Sequence, residues 1–196
     1  MTDEPSSHSE ERPHRHRISV QDYHRMAEAG LLGTGVRVEL IEGAIFDLAP
    51  AGEAHRRTVR RLDELLRQAV GAQGIVRRHA SLHLGADSEP RPDLAVLRAR
   101  ADGCHHVPAT AADTLLVIEV SDGAWHYDHQ IKVPFYARHG IPEVWLFELT
   151  SATVHFFRGL TGGQYTDESA TEHPGLTFLP GLTDVAVDLA AVFPSG

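Results

Sequence analysis

Residues 114 to 120, "TLLVIEV", constrain this chain more than any other stretch. A strand sends alternate side chains to opposite faces, and here both faces are apolar. Such a strand needs cover on both sides, as a central strand beneath helices has. The exception is Glu119, one carboxylate among Leu115 to Ile118 and Val120. A carboxylate left bare there would carry a desolvation cost, so it needs a positive partner. Two are open: an arginine such as Arg91 or Arg98 in a structural ion pair, or a metal ion.

Other elements assemble round this strand. Ser19-x-x-Asp22 resembles a capping box and opens a short helix with the stripe Val20, Tyr23, Met26 and Ala27, ending at Gly30. Residues 36 to 50 alternate, Val36, Val38 and Leu40 against Arg37, Glu39 and Ile41, and Glu42-Gly43 marks a turn, which predicts a hairpin. Residues 54 to 70 carry a helical stripe of Val59, Leu62, Leu65, Leu66 and Ala69. His55 lies one turn before Val59 on that face and points inward, as a hydrogen-bonded core histidine or as a member of a site. Strands are expected at 75 to 85, 93 to 99, 142 to 149 and 152 to 159, with a helix between 128 and 139.

Pro134 has no N–H and clashes with the carbonyl four residues back, so that helix either begins near Gln130 or kinks. Trp145 and Phe147 alternate with Val144 and Leu146, so the apolar hairpin at 142 to 159 packs the core or a dimer contact. Strands and helices mix without strict alternation, which gives the α+β (mixed α/β) class.

With 196 residues the chain is expected to form one domain, over 18 to 196, behind a polar tail at 1 to 17 that reads as disordered. No apolar run approaches the roughly 20 residues of a membrane span. The single cysteine, Cys104, excludes an intramolecular disulfide and fits a reducing compartment, so the cytoplasm is the expected location. Cys104-His105-His106 lacks the second cysteine of a usual zinc site. The net charge of −9 argues against a general nucleic-acid binder. Residues 55 to 100 nevertheless carry ten arginines against five acids, either as a basic face or as a solvated helix.

The candidate chemistry gathers near Glu119. Asp93 follows Pro92 and opens a strand. If the two strands are neighbours, Asp93 and Glu119 converge, and a hard divalent cation with oxygen ligands removes their repulsion. Lys132 is the only lysine among 18 basic residues of the Lys and Arg types. Lysine offers a compact charge with a pKa that burial can move, and arginine does not. Beside a metal it can position water, stabilise developing charge or transfer a proton.

Pro92-Asp93, an acid near the end of the next strand, and then Lys132 resemble the PD-(D/E)XK nuclease superfamily, and more closely its Uma-type restriction endonuclease branch. The likeness spans roughly 18 to 192 and includes "VELIEG", "RPDLAV", "LLVIEVSD", Asp128-x-x-x-Lys132 and "FYARHGIPEVWLFEL". It implies a restriction-endonuclease-like mixed sheet flanked by helices, with an added N-terminal hairpin, and Mg²⁺- or Mn²⁺-dependent cleavage of nucleic acid, DNA first. By the same likeness Asp93, Glu119 and the Val120 carbonyl hold the metal, and Lys132 arrives from the following helix. Glu39 and His55 match positions near the site, as an outer ligand and a phosphate or water contact. A homodimer is implied as well. The competing function is a non-catalytic nucleic-acid- or protein-binding module that keeps the fold.

Overall fold

The computed structural model describes residues 15 to 33, 35 to 99 and 108 to 193. The expected tail at 1 to 17 lies outside them up to residue 14, and so does Cys104-His105-His106. The chain opens with α1 (Val20–Glu28), capped by the Ser19 hydroxyl, which accepts the Asp22 N–H. Next come β1 (Arg37–Ile41) and β2 (Ala44–Leu48), an antiparallel hairpin. Its turn residues Glu42 and Gly43 have φ of 47° and 74°, the two positive values a tight hairpin turn takes. The long helix α2 (Glu53–Val70) follows. Then come β3 (Gly74–Arg78), β4 (Leu82–His83), β5 (Leu94–Arg98), β6 (Ala109–Thr110) and β7 (Thr114–Ser121).

A single helical run covers 125 to 138 in three parts: α3 (Trp125–Tyr127), a wide π turn (Asp128–Lys132) and α4 (Val133–Arg138). Strands β8 (Val144–Glu148), β9 (Thr153–Thr161), β10 (Gln164–Thr171), β11 (Leu176–Phe178) and β12 (Ala186–Asp188) complete the fold.

The main sheet has six strands in the order β10-β9-β8-β7-β5-β3. Only β7 and β8 run parallel; the other neighbours are antiparallel. This is the expected mixed sheet flanked by helices, and all eight residues of β7 are buried. One face packs against Val59, Leu62, Leu66 and Val70 of α2 and against C-terminal residues such as Val187 and Leu189. The other face packs against Val133, Phe135 and Tyr136 of α4.

Trp145 and Phe147 enter the first core, Val144 and Leu146 the second. The apolar side chains of 144 to 148 are therefore spent inside. β10 covers β9, so the hairpin expected as a dimer contact is not the free edge of the sheet.

Pro134 is accommodated within one continuous helical run. Ahead of it the Val133 N–H bonds to the Asp128 carbonyl, five residues back. The widened turn lets the backbone pass a residue that has no N–H to donate. The helix thus begins before Gln130, at Trp125, and the irregularity falls on the turn that carries Lys132.

Candidate active site

Register and strand polarity bring the acids together. β5 and β7 pair antiparallel with Leu94 opposite Ile118, so one step further Asp93 comes abreast of Glu119. The Val120 N–H donates to Asp93 Oδ2 at 3.0 Å. Both carboxylates leave the sheet on the face of Ala95 and Val117, towards the helical run at 125 to 138.

There Lys132 meets Glu119, with Nζ 2.7 Å from Oε1. The Tyr136 hydroxyl donates to the same oxygen at 2.6 Å. Both contacts fall on Oε1, which leaves Oε2 for a further ligand. Asp93 is held in the same one-sided way. Its Oδ2 accepts from Val120 and pairs with His55 Nε2 at 2.9 Å, while Oδ1 stands 3.5 Å from His79 Nδ1. His55 thus points inward as expected, from the first turn of α2, and it contacts Asp93 directly. Its Nδ1 is buried without a hydrogen-bond partner among the described residues.

Glu39 arrives from the hairpin. Leu40 and Glu89 exchange backbone hydrogen bonds of 3.3 and 2.7 Å, which dock β1 beside the segment leading to Asp93. Glu39 Oε2 accepts the Arg91 N–H at 2.9 Å and lies 3.3 Å from Lys132 Nζ. Its Oε1 accepts from the Tyr127 hydroxyl at 2.8 Å. Glu39 is fully buried and stands behind Lys132, off the wall of the neighbouring pocket. That pocket, of ≈ 270 Å³, is lined by Asp93, Glu119, Val120, Asp128 and Lys132 on its inner side and by Arg37 among others at its rim. Gly52, just before α2, closes one side. A Cβ there would come within 2.6 Å of Asp122 Oδ2, so a larger residue would push the exposed Asp122 carboxylate aside.

Charge balance is the dominant physical fact. Four buried carboxylates, Glu39, Asp93, Glu119 and Asp128, surround one ammonium and one imidazole. Burial pushes the Glu119 carboxyl up, against the pull of Lys132 and helped by Asp93, Asp128 and Glu39, to about 8. Burial likewise raises Asp128 to about 6, with Lys132 opposing and Asp93 and Glu39 adding to it. Asp93 goes the other way. Burial alone would raise it, but the His55 bond and charge, the Val120 N–H and Lys132 hold it below the ordinary aspartate value. Burial disfavours the Lys132 charge, yet Glu119, Glu39 and Asp128 outweigh that and raise its pKa, so the ammonium is retained.

The site is therefore short of positive charge, with carboxylate oxygens directed to a pocket. Among the described residues no three His, Cys, Asp or Glu side chains form a ready cage for a metal. Mg²⁺ asks for less, usually one or two carboxylates completed by water and substrate oxygens. Asp93, Glu119 and the Val120 carbonyl form a hard, all-oxygen donor set that fits such an ion.

The five side chains expected at a site gather in one place as two bonded groups, Glu39–Lys132–Glu119 and His55–Asp93, with the Val120 N–H next to Glu119 donating to Asp93. Three residues there were not expected: Tyr127 and Tyr136, which bond to Glu39 and Glu119, and Asp128, which lines the pocket. Asp128, Lys132 and Tyr136 recur every fourth residue, a spacing that puts side chains on one helix face and could have revealed two of them.

This sheet, with an acid at the head of one strand, an acid near the end of the next and a lysine from the following helix, has the PD-(D/E)XK nuclease-like architecture. The chain belongs to the Uma2 family, described as "Putative restriction endonuclease", whose model matches residues 20–190. Among solved structures it is similar to one described as a "putative nuclease belonging to DUF820 from Anabaena variabilis ATCC 29413". The TM-score is 0.70 at 16% identity, covering 90% of this chain and 97% of that one. No curated protein sequence matches it. Among the described residues no helix is long and apolar enough to cross a membrane.

Proposed function

We propose that the protein is a metal-dependent endonuclease that hydrolyses phosphodiester bonds of nucleic acid, DNA first, at the Asp93–Glu119–Lys132 site. One observation carries this reading: the buried, cation-deficient meeting of Asp93 and Glu119 beside the chain's only lysine. Asp93, Glu119 and the Val120 carbonyl would hold Mg²⁺ or Mn²⁺. Such an ion, when bound, lowers the pKa of water and offsets charge on the phosphate oxygens. The chain's own residues supply position. His55 and the Val120 N–H fix Asp93; Tyr136 and Lys132 fix Glu119; Glu39, itself held by Tyr127, fixes Lys132.

With its proton retained, Lys132 acts as a placed cation rather than a base. It orients the attacking water and stabilises the charge that develops as one P–O bond forms and another breaks. The acidic surroundings do not repel the substrate once an ion is seated, because its charge offsets the excess carboxylates.

A second reading, a binding module that keeps the fold, is favoured by the closure of the network: Lys132 is only 3% exposed. The test is Mn²⁺ titration by calorimetry together with cleavage of plasmid and single-stranded DNA. Wild type should bind Mn²⁺ and cut. Asp93→Asn and Glu119→Gln should lose both while keeping the wild-type circular dichroism spectrum. Mn²⁺ binding unchanged in both variants would remove the metal reading, and a metal-binding wild type that cuts no substrate would favour the module.

A further inference from the structure

The arginines of α2 separate into two kinds. The helix carries five arginines and three acids. Each acid holds one arginine: Glu53 with Arg56 at 2.7 Å, Asp63 with Arg67 at 2.8 Å and Glu64 with Arg61 at 3.8 Å. Arg57 and Arg60 are left over. Both are exposed, and neither makes a side-chain hydrogen bond or ion pair among the described residues; the acid whose charge they feel, Glu53, is already held by Arg56.

Both also line one groove, with Arg61 on the same wall and Leu149, Ala191, Val192 and Phe193 opposite. Its other charged lining residue is Glu64, already paired with Arg61. In a chain with a net charge of −9, an unpaired basic groove has no role in solubility.

The groove and the candidate active site have no lining residue in common, but α2 borders both. The segment before the helix, Ala51-Gly52, and its third residue, His55, line the site pocket. Arg56 reaches back to the Ala51 carbonyl at the pocket wall. Arg60 is one turn further along the same side of the helix, and Arg57 lies beside it. Successive charges along this helix are separated by about 4.5 to 6 Å of rise, comparable with the ~3.4 Å per strand between DNA phosphates once side-chain reach is added. The apolar wall opposite offers no competing anion.

We propose that the groove along α2, with Arg57 and Arg60 as its charged contacts, holds the phosphate backbone of duplex DNA leading away from the cleavage site. This rests on the nuclease reading only for the choice of substrate. The contact itself is electrostatic and independent of base sequence. It explains how an acidic protein can take a polyanion: the acidic excess lies elsewhere, and one groove is basic.

The experiment is fluorescence anisotropy of a labelled 30-base-pair duplex in EDTA, so that no cleavage intervenes, across a series of salt concentrations. The proteins are wild type, Arg57→Ala/Arg60→Ala, and a control, Arg25→Ala/Arg138→Ala, which removes the same charge from exposed arginines elsewhere. Losing two phosphate contacts should lower the slope of log K against log salt by about 2. Affinity at low salt should fall about tenfold or more, with the control close to wild type.

Equal losses in control and groove variants would reduce the effect to net charge and overturn the proposal. So would an unchanged slope, or no duplex binding by wild type. Labelled RNA and poly-glutamate are run alongside, and binding of either as tight as the duplex overturns the assignment to duplex DNA. The two readings fail separately: a Glu119→Gln protein that neither binds Mn²⁺ nor cuts should still show the full Arg57/Arg60 effect.

Discussion

The two faces of the central sheet are equally dry and differently built. On the α2 side, Leu62, Leu66, Leu116, Ile118, Trp145 and Phe147 meet with a single charged group at their margin, Glu143, which accepts the Trp145 indole N–H and is paired with Arg158. On the other side, Glu119, Lys132 and Tyr136 are as deeply buried, and each of them needs the others. The first face depends on volume: any apolar group of the right size serves, and a void is the chief error. The second depends on charge, where replacing one member strands its partner even if the space stays filled.

The sharpest contrast should come from Lys132→Ala. It leaves Glu119 and Glu39 buried without their cation and should cost about 3–5 kcal/mol at neutral pH by urea unfolding. The loss should grow above about pH 8, where wild-type Glu119 gives up its proton and the ammonium holds the anion. A cost unchanged between pH 6 and pH 9.5 would mean that Lys132 stabilises by packing alone. On the apolar face, Leu62→Ala should cost about 2–5 kcal/mol at either pH, since no proton is involved. A pH-dependent loss there would erase the distinction between the faces.

The third prediction concerns the pH dependence of wild type without metal. Unfolded Glu119 releases its proton near 4.5, whereas folded Glu119 holds it to about 8. Between those values the folded state binds more protons, so stability falls as pH rises. Asp128, raised from 3.8 to about 6, adds to the lower part of that decline. Asp93 has the opposite sign: its depressed pKa stabilises above 3.8, and that contribution is lost as pH falls through the folded value. Thermal melts should therefore peak in mildly acidic buffer and decline towards pH 8. In Glu119→Gln the decline above about pH 6 should vanish; if it persists, another group causes it.

The smallest effect should come from Tyr136→Phe. It removes the hydroxyl that donates to Glu119 and should cost about 0.5–1.5 kcal/mol below pH 8, where Glu119 holds its proton, and about 1.5–3 kcal/mol above it, the range for a hydrogen bond to a charged group. No measurable change in unfolding at either pH would show that the hydroxyl does not hold Glu119.

The same contrast governs what the sequence revealed. β7 was legible because an apolar run on both faces has one structural meaning, and α2 because its stripe is unbroken. β10, "QYTDESAT", was not, since its edge position leaves most of it exposed and its pattern never alternates. The span 75 to 85 read as one strand but divides at His79, whose φ of 51° turns the chain with no glycine to announce it. At the site, Asp93, Glu119 and Lys132 stood out because each was odd for its surroundings. Tyr127 and Tyr136 did not, because tyrosines in a half-buried helix are ordinary and only their hydroxyl partners make them part of the network.

The wide turn at Asp128–Lys132 has a consequence for how this chain tolerates changes in length. The turn holds one residue more than an α-turn, so everything after it sits where a regular helix would place the residue numbered one lower. Tyr127 and Asp128 are set in phase with the site by what precedes the turn, Lys132 and Tyr136 by the turn itself. Removing exposed Gln130 would let the helix close to ordinary pitch and keep both pairs in phase, because the Val133 N–H would then reach the Asp128 carbonyl from four residues on. A deletion that regularises this turn should thus cost the Gln130–His129 contact and leave the network standing, much as an insertion in the Gly162-Gly163 turn would change only the reach of an edge hairpin.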